Sequence, residues 1–295
     1  MIRVKSLILL LPLVLASCGS QNNDLVIACG MDEVFISDTG YEVPEKIWSW
    51  TADSADNLPV TMRNKFLTTS ECKPVNNSSD ILVTSSGGGV AVINIESKNV
   101  TFWASLPNAH SAELLPGGKL AVAASLSSMG NRINIYDLKK PGVVLCSDSL
   151  YSAHGLVWDD SKNVLWALGY DVLRRYSLAE GDSGDTSLHM EQEYSLPGRD
   201  GHDLQPAADG ESLCLSTESN VWLFNTSSEE FAMHPLLGDE EGVKSVSYNS
   251  KTGRTAYMKA TEGRWWGYYI RIAETDRVSY LPFEKLYKVR WLYRD

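Results

Sequence analysis

Three of the five histidines in the chain stand in segments that resemble one another. The similar segments are "AHSAELLPGGKLAVAAS" (109–125), "AHGLVWDDSKNVLWALG" (153–169), "GHDLQPAADGESLCLST" (201–217) and "VKSVSYNSKTGRTAYMK" (243–259). In the first three, His110, His154 or His202 precedes an apolar run, a polar turn and a second apolar run. The fourth has Lys244 where the others have histidine.

Aligning the second apolar runs extends this position to two further segments. The same ten-residue spacing reaches Glu71 ahead of "ILVTSS" (81–86), and apolar alternation places Tyr287 ahead of "VRWLY" (289–293). The position is therefore occupied by Tyr287, Glu71, His110, His154, His202 and Lys244. Six positions taken at random from this composition would hold about a tenth of one histidine.

Three imidazoles and a carboxylate at one point are a plausible ligand set for a divalent ion. Neutral imidazole suits Zn²⁺, Mn²⁺, Fe²⁺ or Ni²⁺, and Glu71 could complete the shell. The alternative is that each histidine hydrogen-bonds the backbone of a neighbouring repeat. The sequence favours a functional site that holds a metal or an anion over this alternative, and His110, His154, His202 and Glu71 are the candidate metal ligands.

Lys244 and Tyr287 are the candidate catalytic groups. A lysine beside imidazoles could bind a carboxylate or act as a base, and a tyrosine could serve as acid or base. Lys244 could instead be a surface lysine whose stem packs on apolar neighbours. In "GRWWGYY" (263–269), Trp265 and Trp266 could stack on sugar faces, although packing between strands is the alternative.

The elements that must position these residues are short strands. Apolar runs alternate with Gly-, Asn-, Asp- and Ser-rich turns, and a unit of four strands recurs at about forty residues, which is typical of β-propeller blades. The N-terminal "DLVIACG", "DEVFISDT" and "EKIWSW" supply only three strands, and "YKVRWLY" (287–293) is a lone C-terminal strand. The sequence predicts an all-β fold, a six-bladed β-propeller closed by the C-terminal strand pairing into the N-terminal blade.

In such a ring the first strand of each blade lines the central axis. Side chains at the entrances of six first strands therefore point toward one mouth of the channel. Ligand sites favour such concave places. The predicted occupant is an oligosaccharide or another small molecule at the channel mouth.

The N-terminus reads as a targeting segment. "MIRVK" is followed by the apolar "SLILLLPLVL" and by Leu15-Ala16-Ser17-Cys18, which looks like a bacterial lipobox. We expect a signal peptide at 1–17, a lipidated Cys18 with its tether at 18–23, and one propeller at 24–295. Plain secretion is the alternative. The predicted location is the cell envelope, with a lipid anchor in the outer membrane.

The composition limits the classes of partner that the protein is expected to bind. The net charge of −11 argues against nucleic acid, because phosphate binding needs a basic face. Loss of Arg3 and Lys5 with the signal peptide would make it −13. Cys29, Cys72, Cys146 and Cys214 show no paired metal-binding spacing. An exported protein could oxidise them, but Cys29 and Cys214 each lie in an apolar run and are expected to be buried thiols. The protein is expected to be a monomer.

The lipobox, "CGMDEVFISD", "GNRINIYD" and the histidine segments together resemble an uncharacterised family of bacterial six-bladed β-propeller lipoproteins. The resemblance covers nearly the whole mature chain and implies the fold and the envelope location. The arrangement of the site is more loosely similar to that of oligogalacturonate lyases, which are propellers that hold a metal with histidines on the axis. Only His110, His154 and His202 match that pattern, and the blade number differs.

Two functions follow as hypotheses. The first is a metal-dependent carbohydrate-active enzyme, a lyase acting on uronate oligosaccharides, in which the metal binds the carboxylate and Lys244 or Tyr287 moves the proton. The second is a non-catalytic lipoprotein that binds a glycan or a protein on a propeller face.

Overall fold

Six four-stranded antiparallel sheets form a closed ring in the computed structural model, which describes residues 24–181 and 185–293. Blade 1 combines β1 (Leu25–Cys29), β2 (Glu33–Asp38) and β3 (Lys46–Thr51) with the last strand, β24 (Lys288–Trp291). β24 pairs antiparallel with β1, for example Val26 with Trp291. The predicted six-bladed propeller and its closure by the C-terminal strand are confirmed.

The other blades run consecutively along the chain. Blade 2 holds β4 (Thr69–Val75), β5 (Asp80–Ser85), β6 (Gly89–Asn94) and β7 (Val100–Ser105). Blade 3 holds β8 (Ala109–Leu115), β9 (Lys119–Ala124), β10 (Arg132–Asp137) and β11 (Val144–Ser149). Blade 4 holds β12 (Gly155–Asp159), β13 (Val164–Leu168), β14 (Val172–Glu180) and β15 (Thr186–Ser195).

Blade 5 holds β16 (Asp203–Pro206), β17 (Ser212–Ser216), β18 (Val221–Asn225) and β19 (Glu230–Met233). Blade 6 holds β20 (Val243–Asn249), β21 (Arg254–Lys259), β22 (Tyr269–Ile272) and β23 (Val278–Tyr280). Between blades 1 and 2 lie two 3₁₀ turns, Ala52–Ser54 and Asn64–Phe66, and the one-turn helix α1 (Val60–Arg63).

The hydrophobic core lies between the blades. Each of six buried apolar clusters combines residues from adjacent blades; one joins Leu168 of blade 4 to Leu204 of blade 5. Strand alternation explains this, because successive residues of a strand face opposite sides of its sheet and both sides of a blade are covered. Several first strands also carry buried charged residues, among them Glu71, Asp203 and Arg290.

Candidate functional site

Five of the six aligned residues meet at one mouth of the channel, at the start of the first strands. The ring centroids of His110 and His154 are 4.3 Å apart, and those of His154 and His202 are 5.6 Å apart. Tyr287 lies 6.2 Å from His110 by ring centroid, and Lys244 Nζ is 2.5 Å from His202 Nε2. We call this group of five the histidine mouth.

Glu71 is not part of the histidine mouth, which corrects the sequence alignment. In β4, Thr69 pairs with Ser85 and Glu71 with Thr84, so that Ser70 is an extra, bulged residue. His110 is the bulged residue of β8 in the same way. Ser70 therefore occupies the position of the histidines in blade 2.

The reason is the length of one hairpin. In blade 2, Pro74 pairs with Ile81, seven residues later, whereas in blade 3 Leu114 pairs with Leu120, six residues later. A fixed ten-residue spacing therefore reaches one residue too far along β4.

Glu71 instead belongs to a buried ion cluster that forms the floor of the histidine mouth. Arg290 donates from Nε and Nη2 to the two carboxylate oxygens of Glu71, at 3.0 and 2.9 Å. It also donates from Nη1 and Nη2 to Asp203, at 2.9 and 2.6 Å. Lys288 Nζ donates to Asp203 Oδ1 at 2.5 Å and to the carbonyl oxygen of His202 at 2.9 Å.

The two carboxyls of the floor are held in their charged forms. All four side chains are at most 2% exposed. Burial disfavours the ionised carboxyl of Asp203, but the charges of Arg290 and Lys288 outweigh it and hold its pKa below the usual range. The same balance lowers the pKa of Glu71. Because Arg290 occupies both of its oxygens, Glu71 is not available to a metal.

A recurring turn orients two histidines. Asn108 and Ser152, each two residues before a histidine, have positive φ values of 59° and 50°. Their carbonyl oxygens accept from His110 Nδ1 at 3.0 Å and from His154 Nδ1 at 2.8 Å. Since a carbonyl oxygen only accepts, Nδ1 carries the proton, and Nε2 of each neutral ring keeps its lone pair.

His202 is held differently. Asp200 also has a positive φ, 58°, but its carboxylate oxygen Oδ2 lies 3.2 Å from His202 Nε2. Lys244 Nζ lies on the same nitrogen, whereas His202 Nδ1 is buried with no hydrogen-bond partner among the described residues. His202 Nε2 thus lies between a carboxylate that can accept its proton and a lysine that, when charged, can donate one to it.

The electrostatics keep the imidazoles neutral near pH 7. Burial lowers the pKa of His110 to about 4. Burial also lowers the pKa of His202. It lowers the pKa of His154 well below 6.5, and repulsion between protonated rings of His154, His110 and His202 lowers it further. Burial lowers the pKa of Lys244 to about 8 and raises that of Tyr287 far above 10.

Gly155 lets blades 4 and 5 approach closely beneath the histidines. A Cβ atom on Gly155 would lie 2.5 Å from Leu204 Cβ and 3.1 Å from Leu204 N. His154 directly precedes Gly155 in sequence, and His202 lies two residues before Leu204. A glycine here therefore allows the short separation between the rings of His154 and His202.

The two tryptophans that were predicted to contact a sugar differ in exposure. Trp265 is 44% exposed and its ring centroid lies 5.8 Å from that of Tyr287, so it stands at the edge of the histidine mouth. Trp266 is only 6% exposed, and its ring is flanked by Arg264 and Lys285 at 4.7 and 5.3 Å. Trp266 is therefore a packing residue, which corrects its assignment as a substrate contact.

The histidine mouth offers only some of the ligands that a metal ion needs. Among residues 24–181 and 185–293, no three His, Cys, Asp or Glu side chains are placed to hold one ion. His110 and His154 do have the outer-shell pattern of metal ligands, because each Nδ1–H is bound to a carbonyl and each Nε2 has no hydrogen-bond partner in the described part of the chain. His202 Nε2 is engaged by Lys244.

Sequence reasoning missed the residues that hold the histidines. A signal is present: Asn108-Ala109-His110, Ser152-Ala153-His154 and Asp200-Gly201-His202 share a polar, a small and a histidine residue. Asn and Asp adopt positive φ more readily than most residues. With positive φ at the residue two positions before His110 or His154, the carbonyl oxygen of that residue faces the imidazole ring. The role of Arg290 in the floor had no local signal.

Comparison with known proteins identifies the family. The family described as "Family of unknown function (DUF6528)" matches residues 22–295. The chain belongs to this family. The search of curated proteins found no match. Cys18 and the predicted signal peptide lie outside the described residues, and no helix in the described part is long and apolar enough to cross a membrane.

Proposed function

We propose that the histidine mouth binds a small acidic ligand and transfers a proton to and from it, with a uronate oligosaccharide as the substrate class. The observation that carries the proposal is the contact of 2.5 Å between Lys244 Nζ and His202 Nε2. A lysine held against an imidazole among other polar side chains is a group placed to give or take a proton.

The expected reaction is a β-elimination. Lys244 in its amine form takes the proton next to the uronate carboxylate, and the resulting electron pair forms a carbon–carbon double bond. The bond to the leaving oxygen breaks, and Tyr287 donates the proton that this oxygen needs. A tyrosine whose pKa is raised by burial stays protonated and can serve as this acid.

The two groups come from neighbouring blades. Lys244 belongs to β20, and Tyr287 immediately precedes β24. These strands are held together by the hydrogen bond from Val289 N to Ser245 Oγ, at 3.0 Å. Trp265, exposed beside Tyr287, offers an aromatic face on which a sugar ring can stack.

A metal-assisted form of this function rests on His110 and His154. Their free Nε2 atoms are oriented by backbone carbonyls, and a divalent ion held there would polarise the ligand's carboxylate. Two protein ligands leave positions open for that carboxylate. Chelation separates the two forms, because EDTA abolishes the reaction only if the ion takes part.

The test is a substrate screen with matched lysine variants. Purified protein is incubated with oligogalacturonates and glucuronate-containing disaccharides, with Mn²⁺ or with EDTA, and the ultraviolet absorbance of the unsaturated product is recorded. Lys244→Met should lower the rate by about 10²- to 10⁴-fold. Lys139→Met, an exposed lysine far from the mouth, should leave it unchanged.

Two outcomes would contradict the proposal. One is the absence of both product and saturable binding for every uronate tested. The other is equal activity of Lys244→Met and the wild type. Saturable binding without product would leave the second hypothesis, a non-catalytic glycan-binding propeller, as the function of the same mouth.

We also propose that the chain is a lipoprotein of the cell envelope, anchored through Cys18. The support is the order of the basic, apolar and small-residue segments that end at Cys18. Expression in a Gram-negative host with a labelled fatty acid should label the wild type and leave Cys18→Ser unlabelled. Equal labelling of the two, or none in either, would contradict the anchor.

A further inference from the structure

The chain enters the propeller at the junction of blades 6 and 1. The carboxylate of Asp24, the residue before β1, accepts from Arg254 of β21 and, at 2.9 Å, from Arg277 of the β22–β23 hairpin. The tether of residues 18–23 spans at most about 20 Å when fully extended. A membrane that holds the lipid proposed on Cys18 therefore passes close to this junction.

The same junction exposes large apolar side chains. They belong to the β2–β3 hairpin, to the outer strands of blade 6 and to the loop that follows these strands: Tyr41, Val43, Tyr269, Tyr280 and Phe283. Tyr41 and Val43 are 66% and 64% exposed, and Phe283 is 93% exposed. The rings of Tyr269 and Tyr280 are stacked, with their centroids 5.0 Å apart. We call these five residues the closure edge.

Backbone hydrogen bonds join the β2–β3 hairpin to the point of entry and to blade 6. Thr39 N donates to the carbonyl oxygen of Asp24 at 2.9 Å. Tyr280 N donates at 2.7 Å to the carbonyl oxygen of Glu42, the residue between the two exposed apolar side chains of the hairpin. The hairpin is therefore fixed in place although its apolar side chains are exposed.

This hairpin differs in composition from its counterparts. The corresponding turns of blades 2, 5 and 6 read "ESKN" (96–99), "TSSE" (226–229) and "ETDR" (274–277), which are polar sequences typical of turns in water. Tyr41 and Val43 expose apolar surface whose removal from water would be favourable. Neighbouring exposed apolar side chains of this kind mark a surface at which a partner binds.

Ion pairs balance the charge at the closure edge. Arg277 Nη1 lies 2.9 Å from Asp24 Oδ2. Lys46 Nζ lies 2.6 Å from Glu284 Oε1, and Glu284 follows Phe283 in the sequence. The whole chain carries a net charge of −11, which anionic lipid headgroups repel. A region of balanced charge avoids this repulsion, so the closure edge suits a lipid surface better than the rest of the protein does.

We infer that the closure edge lies against the lipid surface in which Cys18 is anchored. Tyrosine and phenylalanine rings are enriched where a protein meets the headgroup layer, and here they stand beside the tether. The inference rests on the proposed lipid anchor. Because the closure edge is built from outer strands and the histidine mouth from first strands, this contact leaves the mouth open to a soluble ligand.

The test is hydrogen exchange, read by mass spectrometry, of the lipidated protein in vesicles of phosphatidylethanolamine and phosphatidylglycerol. The reference is the Cys18→Ser protein in buffer. Backbone amides of residues 40–45 should exchange about tenfold more slowly in the vesicles, because the lipid layer covers them. Phe283→Asp should return the exchange to the reference rate, since a charge is costly to remove from water. Leu126→Asp is the control, because Leu126 is exposed on blade 3, opposite blade 6 in the ring, and it should leave the slow exchange unchanged.

The outcomes distinguish this inference from the anchor itself. If Cys18 carries a fatty acid but residues 40–45 exchange as fast in vesicles as in buffer, the anchor stands and the inference is overturned. If Cys18 carries no fatty acid, both are overturned. Slow exchange that survives Phe283→Asp would also overturn the inference. So would slow exchange in concentrated Cys18→Ser protein without lipid, because a second protein molecule would then cover the closure edge.

Discussion

Replacement of His110 by glutamine should make the protein less sensitive to mild acid. Burial lowers the pKa of His110 to about 4, against 6.5 for an unperturbed histidine. Between these values the unfolded chain binds more protons than the folded one, so stability falls as the pH drops from about 6.5 to about 4. At 1.36 kcal/mol for each pKa unit, His110 alone costs about 2.5 kcal/mol between pH 7 and pH 4.5.

The assay is urea unfolding at these two pH values in the presence of EDTA, followed by tryptophan fluorescence. Glutamine does not titrate and can still donate to the carbonyl oxygen of Asn108, so the variant should lose about 2.5 kcal/mol less than the wild type. His189→Gln is the matched control, because His189 is exposed in β15, away from the mouth. If wild type and His110→Gln lose stability equally, within about 0.5 kcal/mol, the burial argument is refuted.

Three further predictions concern the surroundings of the mouth. Arg290→Met should lower the free energy of unfolding in urea by about 3–5 kcal/mol, because two buried carboxylates lose their counter-charge. The control Arg277→Met, at an exposed ion pair, should lower it by less than about 1 kcal/mol. Similar losses in the two variants would contradict the role of the floor. Gly155→Ala should destabilise by about 1–3 kcal/mol, since its Cβ would overlap Leu204, and an unchanged melting temperature would show that the blades can separate without cost. The amine of Lys244 should titrate near pH 8 by nitrogen NMR, and a midpoint near 10.5 would mean that burial does not act on it.

The blades were predictable because they depend on local chemistry. Alternating apolar residues and turn residues such as those of "WDDSKNV" mark strands and hairpins without knowledge of their neighbours. The closure was predictable too, since three N-terminal strands and one C-terminal strand leave unpaired edges unless they join. Both predictions use only the order of elements along the chain.

The histidine mouth was predictable in part. His110, His154, His202, Lys244 and Tyr287 come together because each starts a first strand in its own blade. Glu71 was misplaced because hairpin length and bulges shift the register by one residue, which changes the direction of a side chain.

The difference in exposure between Trp265 and Trp266 could also be seen only in the structure. Neighbouring residues in one segment differ in exposure, 44% against 6%, according to what the adjoining elements cover. The sequence offers no sign of which ring Arg264 and Lys285 enclose. Packing therefore decides that only Trp265 of the two is exposed enough to contact a ligand.

By itself, the sequence determined the propeller, its six repeats and the gathering of histidines at one mouth, because a repeat carries its own periodicity wherever it stands. The tertiary structure alone decided the floor of that mouth. Arg290 and Glu71 are separated by more than two hundred residues, and only closure of the ring brings the last strand beside β4. Burial at that contact then fixes the charges of the axis, which no local pattern of residues can specify.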